Sequence, residues 1–267
     1  MEVFKIRSSA IGHIMAGNMG LTETQTAKLE TLSNKANPTL LQQKELSELQ
    51  HKKLFPELPQ TAKTYCEKWL KERLYAKKIE FSSKYTDKGN EVEAQSIDFI
   101  AVQLGYGMLE KNEEWFENDF ITGTPDIIPP TEVIDAKNSW SFETFPIFDV
   151  EIPNTDYYWQ GQGYMDLTKK DKFRLVYTLM NTPDYLIEAE VRKYCFANGI
   201  DMEDADYQMF YDKLTYDDTP DELKIKVFEI KKNEDDILRI YERVKECRKY
   251  IEKLFIKLPL NIQKLHI

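Results

Sequence analysis

The sequence predicts an α/β protein: a mixed central sheet flanked by helices, with a helical insertion near the N-terminus. Three observations carry that expectation. Lys172 to Leu179 is a run of strand formers (Phe173, Leu175, Val176, Tyr177) closed by Asn181-Thr182-Pro183. Asn233 to Ile256 carries Ile237, Ile240, Tyr241, Val244, Tyr250, Ile251 and Leu254 at helical spacing, a stripe suited to packing on a sheet. Residues 22 to 79 read as two or three polar helices with scattered leucines, placed ahead of the other strand signals. At 267 residues and 42% hydrophobic, the chain can bury roughly three quarters of its unfolded surface without a staple. A single domain over 1–267, with residues 18–80 as an inserted arm, is the expected organisation.

Taken in order, Val3 to Gly17 opens with strand-like Phe4 and Ile6. Ser8 or Ser9 is expected to cap a short apolar helix that Gly17 ends. Arg7 beside that helix start makes an anion site, with a plain N-cap as the other reading. The arm follows as helices over Thr22 to Asn34, Thr39 to Phe55 and Thr61 to Lys78. The last of these spaces Tyr65, Trp69, Leu70 and Leu74 helically between lysines. A helix reaching Leu104 then places Glu93, Ile97, Ile100 and Leu104 on one face, while Glu91 aligns with Gln95 and Asp98 on the polar side. A carboxylate on an apolar stripe is unfavourable unless it is paired or bound to a cation, which singles out Glu93.

The stretch from Gly123 to Trp140 organises the rest. Pro125 favours extended geometry at Thr124, Ile127 and Ile128 are strand formers, and Pro129-Pro130 marks a turn. From Glu132 to Lys137 the chain alternates, with Val133, Asp135 and Lys137 on one face and Ile134 and Ala136 on the other. If the strands pair, Asp126 and Asp135 converge and Lys137 lies about 7 Å further along. Two carboxylates gather a hard divalent cation through oxygen, and an ammonium beside them can orient or deprotonate a water. Trp115 to Thr122 is expected as a strand pairing in a meander with Glu132 to Asn138. The Ser139 to Pro153 loop is aromatic, suited either to lining a channel or to packing.

Asn154 or Thr155 caps a helix in which Gln160 and Tyr164 share a face at i, i+4. Gly161 and Gly163 each cost about 1 kcal/mol in a helix interior, so another backbone, such as a nucleic-acid strand, is expected to approach there. Further on come a helix from Tyr185 to Asn198, an acidic segment, and a strand from Leu223 to Ile230.

Pro125-Asp126, eight intervening residues and Asp135-Ala136-Lys137 resemble the PD-(D/E)xK nuclease signature. Gly89-x-x-x-Glu93 upstream and Gln160-x-x-x-Tyr164 downstream are similar to motifs of the lambda exonuclease and YqaJ branch, in the same order. Arg7 with Ser8 and Ser9 resembles that branch's opening Arg-Ser/Thr-Ala-Ser element, which contacts DNA. The resemblance covers residues 89 to 164 and weakens outside them. It implies a restriction-endonuclease-like core and a phage-type recombination exonuclease that hydrolyses DNA at duplex ends from 5′ to 3′. It also implies Mg²⁺, with Mn²⁺ as a substitute, held by Asp126, Asp135, the Ala136 carbonyl and Glu93 directly or through water. Lys137 would position and activate the attacking water, Gln160 would hold that lysine or the scissile phosphate, and Arg7, Ser8, Ser9 and Tyr164 would contact DNA. Implied partners are double-stranded DNA ends and a single-strand annealing protein. The arm would guide DNA, cover the core or contact a second copy in a homo-oligomer.

Charge and cysteines bound these readings. The net charge of −10 argues against a general nucleic-acid coat. Asp201 to Glu222 holds nine acids and one lysine, whereas Gln60 to Gly89 holds eight lysines and arginines against four acids. Cys66, Cys195 and Cys247 are scattered, which excludes the four-cysteine iron–sulfur version of RecB-type and CRISPR-adaptation nucleases and suggests reduced thiols in a cytosolic setting; the resemblance implies the cytoplasm of a bacterial or phage-infected host cell. No apolar run approaches 18 residues and no signal-peptide pattern opens the chain, so no membrane is expected. His13, His51 and His266 make no zinc spacing, and no Gly-rich phosphate loop supports an ATPase. The alternatives are a RecB-type nuclease or endonuclease on the same fold and a non-catalytic DNA-end-binding protein; the latter would have lost part of the constellation. A calcium-binding structural module leaves Lys137 without a purpose.

Overall fold

The computed structural model describes residues 2–79 and 82–259, so His266 and the last residue of the arm lie outside the described residues. Six strands form two three-stranded sheets among these residues. The first, in the order β1-β3-β2, comprises β1 (Ile6–Arg7), β2 (Phe116–Glu117) and β3 (Ile121–Gly123). The second, in the order β4-β5-β6, comprises β4 (Val133–Asn138), β5 (Lys172–Thr178) and β6 (Ile225–Lys231). β4 runs parallel to β5, and β6 runs antiparallel to it.

The expected meander is corrected. Trp115 to Thr122 does not pair with β4. Asn118 Oδ1 accepts from the Phe120 and Ile121 amides at 2.8 Å each and turns the chain back on itself. β2 and β3 therefore pair antiparallel with each other, and β3 gives its far edge to β1 in parallel. Ile127, in the loop after β3, makes one isolated antiparallel bridge with Ile134, and among the described residues no strand pairs the rest of the outer edge of β4.

The helices are α1 (Ile11–Met15), α2 (Glu23–Ser33), α3 (Leu40–Leu54), α4 (Gln60–Leu74), α5 (Lys84–Glu91), α6 (Glu93–Leu104), α7 (Thr155–Thr168), α8 (Asp184–Asn198), α9 (Tyr207–Leu214) and α10 (Glu234–Ile256). Neither Ser8 nor Ser9 caps α1. A 3-10 turn over Ser8–Ala10 intervenes without a side-chain cap, because Ser8 Oγ instead donates to the Thr122 carbonyl across the sheet.

The arm divides in two. α2 and α3, each opened by a Thr–Gln capping box, pack only a small cluster of Leu29, Leu32 and Leu49 between them. α4 belongs to the main core. Its Ala62, Cys66, Trp69 and Leu70 pack with Ile11 and Ile14 of α1 and Ile240, Val244, Cys247 and Ile251 of α10. There the Cys66 and Cys247 thiols meet in a hydrogen bond, which with burial raises the Cys66 pKa. In the acidic segment, α9 buries Leu214 against Leu186, Ile187 and Trp140 and leaves its carboxylates outside.

α7 is the central helix. It lies against α1, β3, β4 and β5, and its glycines allow that approach. A Cβ on Gly161 would stand 2.6 Å from the Phe173 ring, and one on Gly163 would stand 2.5 Å from Ile11 Cδ1. The close neighbours are thus protein side chains, not the nucleic-acid backbone expected there. The sheet faces divide as the alternation of β4 requires: Val133 packs with Tyr164, Met165 and Phe173 toward α7, while Ile134 packs with Ile97, Ile100 and Ile127 toward α6.

Candidate active site

β4 carries the chemistry on its open edge and on the face beneath α7. Ile134 exchanges both backbone hydrogen bonds with Ile127, so the backbone groups of Ile134 and Ala136 point away from β5. The Ala136 amide donates to Asp126 Oδ2 at 3.0 Å. Its carbonyl points to the same open edge. Asp126 is thereby tied one residue past Asp135 in strand register, although ten positions separate it from Ala136 in the chain.

Asp135 is buried, at 1% exposure. Its Oδ1 accepts from Gln160 Nε2 at 2.8 Å, and its Oδ2 lies 2.5 Å from Lys137 Nζ, an ion pair outside hydrogen-bond geometry. Lys137 also faces the Tyr157 ring, 5.2 Å from its centroid. Gln160 Nε2 reaches Tyr164 Oη at 3.3 Å, and that hydroxyl donates to the Thr124 carbonyl at 3.2 Å. α7 therefore braces both halves of the motif, the Thr124 turn and the Asp135 carboxylate.

The electrostatics follow from this crowding. Burial, and then the charge of Asp135, push the Asp126 carboxyl well above the usual carboxylate range. Burial works to lower the Lys137 pKa, but Asp135 and Asp126 more than offset it and hold the ammonium protonated. The raised Asp126 carboxyl beside the buried Asp135 carboxylate fits a hard divalent cation, whose charge would relieve that crowding. Asp126, Asp135 and the Ala136 carbonyl would hold such an ion, with water and substrate oxygen completing its shell.

Glu93 is not part of that inner set. It opens α6 and its Oε2 pairs with Lys111 Nζ, so its charge is already neutralised. Among the described residues, no three His, Cys, Asp or Glu side chains are gathered closely enough to hold a metal by themselves. The charge of Glu93 also adds to the raising of the Asp126 carboxyl, after burial and Asp135.

The residues expected to touch DNA separate. Arg7 and Ser9 are exposed, and Arg7 lies 5.8 Å from the Trp115 ring centroid. Ser8 and Tyr164 are buried, at 1% and 5% exposure, and their hydroxyls donate to the Thr122 and Thr124 carbonyls. Their place is structural support for the turn that carries Asp126.

Three residues were missed. Lys111 follows no periodic pattern that would have paired it with Glu93. Tyr157 sits one turn before Gln160 on α7, and that i, i+3 spacing was a usable signal. Lys88 is fully buried on α5, with its Nζ donating to the Trp140 carbonyl at 2.9 Å, and burial pushes its pKa down to about 7. Below it, Ser96 Oγ meets Thr178 Oγ1 at 2.6 Å, and Thr178 donates to Asn138 Oδ1 at 2.7 Å, a polar chain at the end of β4.

No family model matches the chain, and no curated protein matches it either. Solved structures do. A phage-related exonuclease from Haemophilus somnus 129PT superposes with a TM-score of 0.68 at 25% identity, covering 97% of this chain and 98% of that one. The alkaline exonuclease LHK-Exo from Laribacter hongkongensis superposes with a TM-score of 0.55 at 13% identity, covering 95% and 92%. The same enzyme in complex with dAMP gives 0.54 at 15%, with equal coverage. The likeness to the Laribacter enzyme is one of fold. All three carry the restriction-endonuclease-like architecture, and the Haemophilus structure supports the exonuclease branch of the PD-(D/E)xK nucleases. Among the described residues, no helix is long and apolar enough to cross a membrane.

Proposed function

We propose that this chain is a phage-type DNA exonuclease that hydrolyses phosphodiester bonds at duplex ends, using Mg²⁺ or Mn²⁺ at Asp126 and Asp135. The observation that carries the reading is the convergence of Asp126, Asp135, Lys137 and Gln160 at one open strand edge. The phage-related and alkaline exonuclease neighbours supply the substrate class.

A divalent cation at this position supplies neutralising charge to the phosphate and a more acidic water. The residues do the rest. Gln160 fixes one oxygen of Asp135, so the other stays turned toward Lys137. Lys137, held protonated, donates to the attacking water or to a phosphate oxygen and orients it for in-line attack. Tyr157 and the burial of Asp135 exclude bulk water from that side, which strengthens each charge interaction. Glu93 acts through water. Arg7 and Ser9 recognise a terminal phosphate, whose charge of nearly two exceeds that of an internal phosphate. The reading takes 5′ ends as the start, a single-strand annealing protein as recipient of the exposed strand, and assembly with further copies.

The test uses end-labelled linear DNA and closed circular DNA, each with Mg²⁺ and with EDTA. Mononucleotide release from linear DNA with Mg²⁺ alone is expected. Equal attack on closed circles would replace the exonuclease by an endonuclease, and robust cleavage in EDTA would remove the metal.

A further inference from the structure

A cleft of about 1410 Å³ lies outside the catalytic motif. That exceeds the roughly 300–1,000 Å³ that encloses one drug-sized ligand, so it is too large for a single nucleotide. One wall is a sheet face. Arg7, Thr122 and Glu117 stand abreast on β1, β3 and β2, with Lys5 and Trp115 two residues along on the same face. The other wall is the end of α4 and the segment after it, with Lys68, Arg73, Lys77 and Lys78.

The charge is the first observation. Lys5 pairs with Glu117 at 3.2 Å and Arg73 with Glu2 at 3.0 Å. Among the described residues, Arg7, Lys68, Lys77 and Lys78 make no salt bridge, although all four are exposed. With Glu72 also in the lining, six cations face three acids, and this surplus of three in a chain of net charge −10 marks a surface for an anion. The second observation is Trp115. It is 50% exposed, and its ring is flanked by the Arg7 guanidinium 5.8 Å from the centroid. A cationic track with an open aromatic face is the pattern that binds single-stranded nucleic acid, since an unpaired base stacks where a paired one cannot. The third is position. Thr122, in the cleft wall, is four residues before Asp126, at most about 14 Å of extended chain and so about four base steps along a strand.

We infer that this cleft binds a single-stranded stretch of DNA several nucleotides long, with one base stacked on Trp115 and its phosphates against Arg7, Lys68, Lys77 and Lys78. The inference deepens the proposed nuclease function and rests on it for the choice of DNA. This gives α4 a purpose that its companions α2 and α3 do not share.

Fluorescence anisotropy in EDTA, with labelled oligo(dT) of 20 nucleotides and a fully paired hairpin of equal charge, tests it. Trp115→Ala is expected to weaken oligo(dT) binding by about 5- to 100-fold. Trp115→Phe should restore most of that. Replacing Lys68, Lys77 and Lys78 together by Ala should reduce the slope of log affinity against log salt by about 2. Unchanged oligo(dT) binding in both cleft variants overturns the inference, and so does equal weakening for the hairpin, which would make the cleft a duplex site. Oligo(dT) binding through these residues in a protein that cleaves no DNA would sink the nuclease reading and leave the cleft. Intact cleavage with unaltered binding would do the reverse. The unfolding midpoint of each variant, compared with wild type, establishes that the binding changes arise from folded protein.

Discussion

Gln160 on α7 hydrogen-bonds one oxygen of Asp135 on β4, at 2.8 Å, while Lys137 stands 2.5 Å from the other. The carboxylate is thus clamped from two sides before any cation or substrate arrives. An amide from a central helix is a rigid clamp, because α7 is wedged against Phe173 and Ile11 by its glycines. The Asp135 oxygen that faces Lys137 is held by that ion pair, so a bound cation would share it with the ammonium.

Replacing Asp126, Asp135 or Lys137 by Ala should lower the rate of DNA cleavage by roughly a thousandfold each, with the fold retained. Gln160→Ala removes only the clamp and should cost about 10- to 100-fold, accompanied by weaker metal affinity. Single-turnover cleavage with a Mg²⁺ titration separates the two classes. Near wild-type cleavage by Lys137→Ala would reject the assigned role.

Arg7→Ala should erase a preference for 5′-phosphorylated over 5′-hydroxyl duplex ends while leaving the metal requirement intact. The rival is a surface arginine that contributes little. Equal treatment of both ends by wild type and variant alike would make Arg7 structural.

Lys88 makes a pH prediction. Its pKa is about 7 in the folded chain against an ordinary lysine value of 10.5, so between those pH values the unfolded chain holds the extra proton. Stability from this group therefore rises with pH through that window, by at most about 1.4 kcal/mol per pH unit, and is flat below it. Lys88→Met should remove that slope between pH 7 and 9, below the range where the raised Tyr216 titrates. Urea melts at several pH values measure it; an identical slope in the variant would mean that Lys88 stays charged when buried.

Two glycines on helices should respond oppositely to Ala. Gly161→Ala drives a methyl into the Phe173 ring and should destabilise by about 1–3 kcal/mol. Gly89 has nothing within 4 Å of an added Cβ, so Gly89→Ala should stabilise α5 by up to about 1 kcal/mol. Chemical denaturation compares them. A loss of stability at Gly89 would show that its open space is needed.

The sequence by itself determined the elements whose cause is local. Chain-neighbour periodicity placed β4, β5, α7, α8 and α10 within a few residues, because side-chain direction in a strand or helix follows from spacing alone. The same alternation put Asp135 and Lys137 on one face, and the turn at Pro129-Pro130 brought Asp126 back to them. What spacing cannot carry is which partner a strand edge or a helix face will find. Asn118 folded the Trp115 to Thr122 segment into a hairpin with itself, and Ser8 turned inward to the Thr122 carbonyl. Gly161 and Gly163 were legible as a close approach, but the identity of what approaches, Phe173 and Ile11, is set by residues up to about 150 positions away. Lys111 reaches Glu93, and the thiols of Cys66 and Cys247 meet, only because their helices and loops are packed together. Those pairings are decided by burial and long-range contact, which the tertiary structure alone supplies.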